Sequence, residues 1–133
     1  MRTRKETWDI DLMKFIKSRK KTPFWWGVHD CVLFAVGCAN AMIGGDLAEK
    51  YRYSSEEEAA AIIKGAGGFR ELVSFNMGPE IPPKMAQRGD WVMILQDDHE
   101  ALAVCIGIMA IAAGKDGLVT RPMSEAITAW RVG

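Results

Sequence analysis

Trp26-Gly27-Val28-His29-Asp30-Cys31-Val32-Leu33-Phe34 is the stretch whose reading decides the fold. Asp30 carries the short acceptor side chain that caps a helix N-terminus. From Cys31 onward, apolar residues run almost unbroken to Ile43. They wrap most sides of a helix over about 31–43, which predicts a central, buried helix. Gly44-Gly45 stops it. Cys31 then falls in the first turn, where free backbone N–H groups and the helix dipole favour a thiolate. The same N–H groups can hold the oxyanion of an acyl transfer. A nucleophile needs that placement. A small buried hydrophobe fits it equally well, since free cysteine is among the most buried residue types.

Outward from this helix the chain divides cleanly. On the N-terminal side, Trp8, Leu12, Phe15 and Ile16 recur at helical spacing and predict an amphipathic helix over about 7–19, closed by Thr22-Pro23. Residues 1–21 hold eight basic and three acidic residues, net +5; the remaining nine basic and fourteen acidic residues give −5. This charge reads first as a solvated helix face and second as a surface for an acidic partner. No aromatics interleave with it, so specific nucleic-acid binding is not expected. On the C-terminal side, Ser55 and Glu58 form a capping-box pattern for a helix over 56–65. Phe69, Leu72 and Val73 suggest a short fourth helix. Gly78-Pro79 and Pro82-Pro83 mark a loop.

From Gly89 the grammar becomes that of strands: 91–95, 101–106, 109–113, 118–121 and 129–132, with Gly114-Lys115-Asp116-Gly117 as a hairpin turn. Helices first and strands afterwards predict an α+β domain, a central buried helix packed on a small antiparallel sheet. One domain spans 1–133: a basic amphipathic helix in 1–22, a helical half in 23–88 and a sheet half in 89–133.

The composition, 49% hydrophobic and 26% charged, is that of a globular chain. The three cysteines are odd in number and show neither CxxC nor zinc spacing, so no metal site, no cofactor and a reducing compartment are expected. No window approaches the ~20 apolar residues of a membrane span, and MRTRKETWDIDL lacks a signal-peptide core. Of the five tryptophans, Trp91 and Trp130 lie in strands and read as core. Trp8, Trp25 and Trp26 can reach a neighbour.

A nucleophilic Cys31 needs a base. Cys38, two turns deeper on the same helix face, and Cys105, in an apolar strand, read as core. His29 lies two residues before Cys31, and such close neighbours rarely form a catalytic pair. His99 opens the second strand, on the face of Ala101, Ala103 and Cys105. It is a possible base for Cys31, or a solvated turn histidine after Asp97-Asp98.

Trp26-Gly27-x-x-Asp30-Cys31-x-x-Phe34 resembles the nucleophile segment of NlpC-type papain-like cysteine peptidases. Arg88-Gly89-Asp90-Trp91-Val92 resembles that family's glycine-aspartate strand, and Ala101-Leu-Ala-Val-Cys-Ile-Gly107 resembles the strand after it. The three blocks cover about residues 23–133. The resemblance implies a papain-like domain with Cys31 at the nucleophile position and Asp30 capping its helix. Where the family places its histidine, this chain has Ala101; where a third polar residue often follows, it has an alanine near Ala112. His99 is two residues early, about 6–7 Å along a strand.

The aromatic opening, the alanine-rich strand and the ending Gly117-Leu-Val-Thr-Arg-Pro-Met-Ser-Glu-Ala-Ile-Thr-Ala-Trp-Arg-Val-Gly133 together resemble a small family of phage and prophage tail-associated proteins. That likeness implies a component of a tail tip or of tail assembly, partnered by other tail proteins and located in the virion after synthesis in the host cytoplasm. Ala101 favours a non-enzyme. The alternatives are an active cysteine peptidase or amidase cutting cell-wall peptides, with Cys31 and His99, and a cytoplasmic thiol-dependent acyl hydrolase.

Overall fold

Local sequence sets several of the helix ends. The computed structural model describes residues 3–45 and 51–133. Helix α1 (Trp8–Arg19) has Asp9 and Asp11 in its first turn and Lys17 and Arg19 in its last, both matched to the helix dipole. It buries Leu12 and Ile16 and lays Phe15 on Phe34, with ring centroids 6.0 Å apart. Helix α2 (Cys31–Ile43) is capped by the Asp30 side chain and ended by Gly44. Its Phe34, Ala35, Cys38, Ala39 and Met42 are all fully buried, as a helix apolar on nearly every side requires. Helix α3 (Glu56–Gly65) starts at Ser55, whose hydroxyl accepts the Glu58 N–H at 3.1 Å. The Glu58 carboxylate reaches past Ser55 to the Ser54 N–H, at 2.8 Å, so the capping box is stretched by one residue. Helix α4 (Phe69–Met77) is two turns long and buries Val73 and Met77.

Five antiparallel strands follow, in spatial order β4-β3-β2-β1-β5. They are β1 (Trp91–Gln96), β2 (His99–Cys105), β3 (Met109–Gly114), β4 (Gly117–Pro122) and β5 (Thr128–Trp130). β1 and β2 join through Asp97 and Asp98, both at positive φ (52° and 63°), the signature of a tight two-residue hairpin turn made here without glycine. β5 starts earlier and stops sooner than the sequence suggests: after Trp130, which faces Trp91 in the register, Val132 leaves the ladder for another partner.

One sheet face carries Trp91, Met93, Leu102, Val104 and Trp130 against α2. The Trp91 indole donates to the Ala35 carbonyl at 3.0 Å and the Trp130 indole to the Ser74 hydroxyl at 3.0 Å, so both rings are buried with their polar edge satisfied. Burying side chains of this kind contributes roughly 1.5–3 kcal/mol each. The other face is built of smaller residues, among them Ala101, Ala103, Cys105, Ala110 and Ala112, and is covered by Ile81, Ala86, Met123 and Ala126.

A polar knot closes this arrangement at the start of β1. Asp90 is 1% exposed. Its carboxylate accepts the N–H groups of Gln87 (2.9 Å) and Val132 (3.0 Å) and the Arg4 guanidinium (2.9 Å). Arg4 also donates to the carbonyls of Val132 (2.8 Å) and Arg88 (2.7 Å) and lies 4.4 Å over the Trp8 ring. Arg4 is therefore a structural cation inside the fold, not part of a solvated basic face. Gly89 adopts φ +97°, where any other residue is strained, and a β-carbon there would lie 2.6 Å from the Met42 sulfur and force that side chain to shift.

Candidate active-site groove

β3 pairs with β2 only at Val104 and Cys105. Residues 99–103 of β2 have β1 on one side and, among the described residues, no strand on the other. The first turn of α2 meets that opening. Cys31 packs against the buried residues of both sheet faces. The backbone N–H groups of Leu102, Val32 and Cys31 itself act on the Cys31 sulfur and favour its thiolate. A helix start and an unzipped strand thus converge on one atom.

Asp30 fixes the turn that delivers Cys31. One carboxylate oxygen accepts the Leu33 N–H (2.9 Å) and the Tyr53 hydroxyl (2.6 Å); the other accepts the Gly27 N–H (3.0 Å). Trp25 and His29 exchange backbone hydrogen bonds of 2.9 and 2.8 Å, pinching residues 26–28 into a small loop. Gly27, at φ +79°, lets that loop lie on the Tyr53 carbonyl, which a β-carbon would meet at 2.5 Å. Tyr53 carried no sequence signal for this role. It acts across 23 residues of chain.

The electrostatics at Cys31 run opposite to what its helix position suggests. Some surface of the residue remains exposed, but the sulfur is enclosed by protein, and burial pushes the thiol up to about 11. The adjacent Asp30 carboxylate pushes the same way, and the three N–H groups pull against both and lose. At neutral pH Cys31 is a protonated thiol.

The two imidazoles part company. His29 is 3% exposed, its ring edge-on to Phe34 at 5.9 Å, and among the described residues its Nε2 has no hydrogen-bond partner. Burial drives its pKa down, the nearby Arg19 charge adds to that, and Asp30 opposes. It is a neutral core ring. His99 is exposed on the strand opposite Gln96 and lines the same groove as Cys31. Among the described residues no hydrogen bond joins the Cys31 sulfur to either ring. Ala101 lines the groove between His99 and the helix start; Ala112 is buried on the far sheet face, and its neighbour Ala113 reaches the groove.

The groove encloses about 560 Å³. Phe24 and Trp26 wall one end, in edge contact at 5.1 Å, while Ala59 and Ile63 of α3 and Phe69 and Leu72 of α4 form an apolar flank. Glu56, Asp97 and Glu100 stand on its rim, against Lys115 alone among the described lysines and arginines. Cys38 is fully buried, and burial raises its thiol far above the ordinary range. Cys105 is 2% exposed, its thiol turned to the Gly107 carbonyl at 3.4 Å. Among the described residues no trio of His, Cys, Asp or Glu side chains is placed to hold a metal ion. No described helix is long and apolar enough to cross a membrane. Trp25, at the neck of the small loop, and Val28, within it, are 67% and 68% exposed.

A model of a domain of unknown function, DUF6950, matches residues 3–132 of the chain. No curated protein matches it in sequence.

Proposed function

We propose, from the premise that this chain belongs to the DUF6950 family, that it is a non-enzymatic component of a phage tail tip or of tail assembly. In this reading the domain is papain-like, of the NlpC type, with its nucleophile position kept and its base lost. Other tail proteins are its partners and the virion its destination. The phage assignment rests on the sequence likeness.

The non-enzymatic part is carried by one observation: the thiol at the nucleophile position is held up at about 11, beside a carboxylate and without a hydrogen-bonded imidazole. A peptide-cleaving cysteine needs the reverse, a thiolate stabilised by an adjacent cation or a base that takes its proton. Ala101 supplies neither.

The presence of His99 in the same groove favours a second reading. There, rotation of the exposed imidazole toward Cys31 makes the chain a cysteine peptidase or amidase acting on cell-wall peptides. Iodoacetamide alkylation of Cys31 followed against pH separates the two. The non-enzymatic reading expects a rate still climbing above pH ~9 and unchanged in His99→Ala. A plateau near neutral pH that His99→Ala abolishes, or cleavage of purified cell-wall peptides lost in Cys31→Ala, overturns it.

A further inference from the structure

We infer that the outer face of α1 docks into the Cys31 groove of a second copy of this chain, giving a head-to-tail association. The inference goes beyond the reading above, which leaves the occupant of the groove unspecified.

Two surfaces carry it. The first is the face of α1 opposite Leu12 and Ile16. Ile10, Met13, Lys14 and Lys17 follow one another at i, i+3, i+4 and i+7 and so share one face. Ile10 is 55% and Met13 42% exposed. Lys14 and Lys17 are exposed and, among the described residues, have no carboxylate within ion-pair distance. Lys20 and Lys21 extend the charge beyond the helix. The second surface is the groove: an apolar floor and flank of Ala59, Ile63, Phe69 and Cys31 under a rim of Glu56, Asp97 and Glu100. Glu57 and Asp98 are exposed beside it, and so is Arg52, between the lining residues Tyr51 and Tyr53; among the described residues Lys115, at one end, is the one lysine or arginine in the lining itself.

An apolar centre flanked by lysines thus faces an apolar trough flanked by carboxylates, in a chain whose first 21 residues carry +5 and whose remainder carries −5. Complementary potentials of this kind set register and suppress wrong pairings. The two surfaces are different patches of one molecule, so the contact is heterologous: each copy keeps one free ridge and one free groove, and the association closes as a ring or grows as a filament. A groove occupied by a helix also has no room for a substrate.

Sedimentation velocity of the full chain across concentration and salt tests this. The expected result is concentration-dependent association at low ionic strength that weakens about tenfold in high salt. Lys14→Glu/Lys17→Glu reverses the ridge and Glu56→Lys/Glu100→Lys reverses the rim. Each variant alone is expected to be monomeric, and an equal mixture of the two to associate again. All four side chains are exposed, and circular dichroism verifies that each variant folds. Slower alkylation of Cys31 in the associated wild type places the contact in the groove. A chain that stays monomeric at every concentration overturns the inference. So does association that survives either reversal, a mixture that fails to associate, or a monomer whose groove takes up a lysine-rich peptide instead.

Discussion

Two buried aspartates organise this molecule, and they do opposite things with their charge. Asp90 gathers two backbone N–H groups and the Arg4 guanidinium, so its charge is neutralised in place. Asp30 gathers the N–H groups of Gly27 and Leu33 and the Tyr53 hydroxyl, and, among the described residues, no cation. Its charge is stabilised by hydrogen bonds and the start of α2, but the field extends to the neighbouring sulfur. Hydrogen bonds satisfy a buried carboxylate without cancelling it. The result at Asp90 is a closed structural knot. At Asp30 it is a well-built helix start whose cysteine, kept protonated first by burial, is pushed the same way by the carboxylate.

The sharpest way to break this contrast is Arg4→Ala, which leaves Asp90 buried without its cation and strips three hydrogen bonds from the knot. A loss of about 3 kcal/mol in urea unfolding is expected. A loss below about 1 kcal/mol would mean that the N–H groups alone hold Asp90. Tyr53→Phe removes one of the three donors to Asp30, and a loss of about 1.5–2 kcal/mol is expected from the same measurement. If it costs nothing, the Asp30 cluster is held by the backbone alone.

Asp30→Asn keeps a capping oxygen while deleting the charge. The Cys31 thiol is then expected to titrate below about 11, with alkylation at pH ~9 several-fold faster than in wild type. An unchanged rate would assign the whole upward push to burial. The smallest effect concerns His29. Its folded pKa is depressed below the ordinary 6.5, so its unfolded form binds the proton more readily. The stability this neutral ring contributes is complete above pH ~6.5 and is lost as pH falls through that value toward the folded pKa. Thermal unfolding of His29→Phe against wild type between about pH 7.5 and 5 should show a flatter slope for the variant. Parallel slopes would remove His29 from the pH dependence.

How much of this was readable in the chain depends on range. Helices α2 and α3 occupy the residues that Asp30, Ser55 and their apolar runs indicate, because caps and periodicity are encoded within a few residues. Trp91 and Trp130 lie in the core for the same reason: strand alternation is local. Contacts between distant segments were illegible. Arg4 meets Asp90 across 86 residues and Val132 across 128, and read alone it is one basic residue among eight. Tyr53 gives no sign that it will find Asp30. His29 and Cys31 illustrate the deeper limit. Position leaves an activated thiol and a buried, inert one equally open, whereas burial and a neighbouring charge decide its proton, and both depend on what the rest of the chain brings there. The opening between β2 and β3 is likewise a matter of register that no single strand reveals.

The Arg4 contact with Val132 has a topological corollary. Residues 4 and 132 lie side by side, so a link between them leaves the packing of the elements in place. A few linking residues across that gap would turn the chain into a loop. New ends could then be cut at the turn around Gly107 and Ile108, the latter 87% exposed. Such a circularly permuted chain would begin with β3 and β4, end with β2, and still carry every contact of the Asp30 and Asp90 clusters.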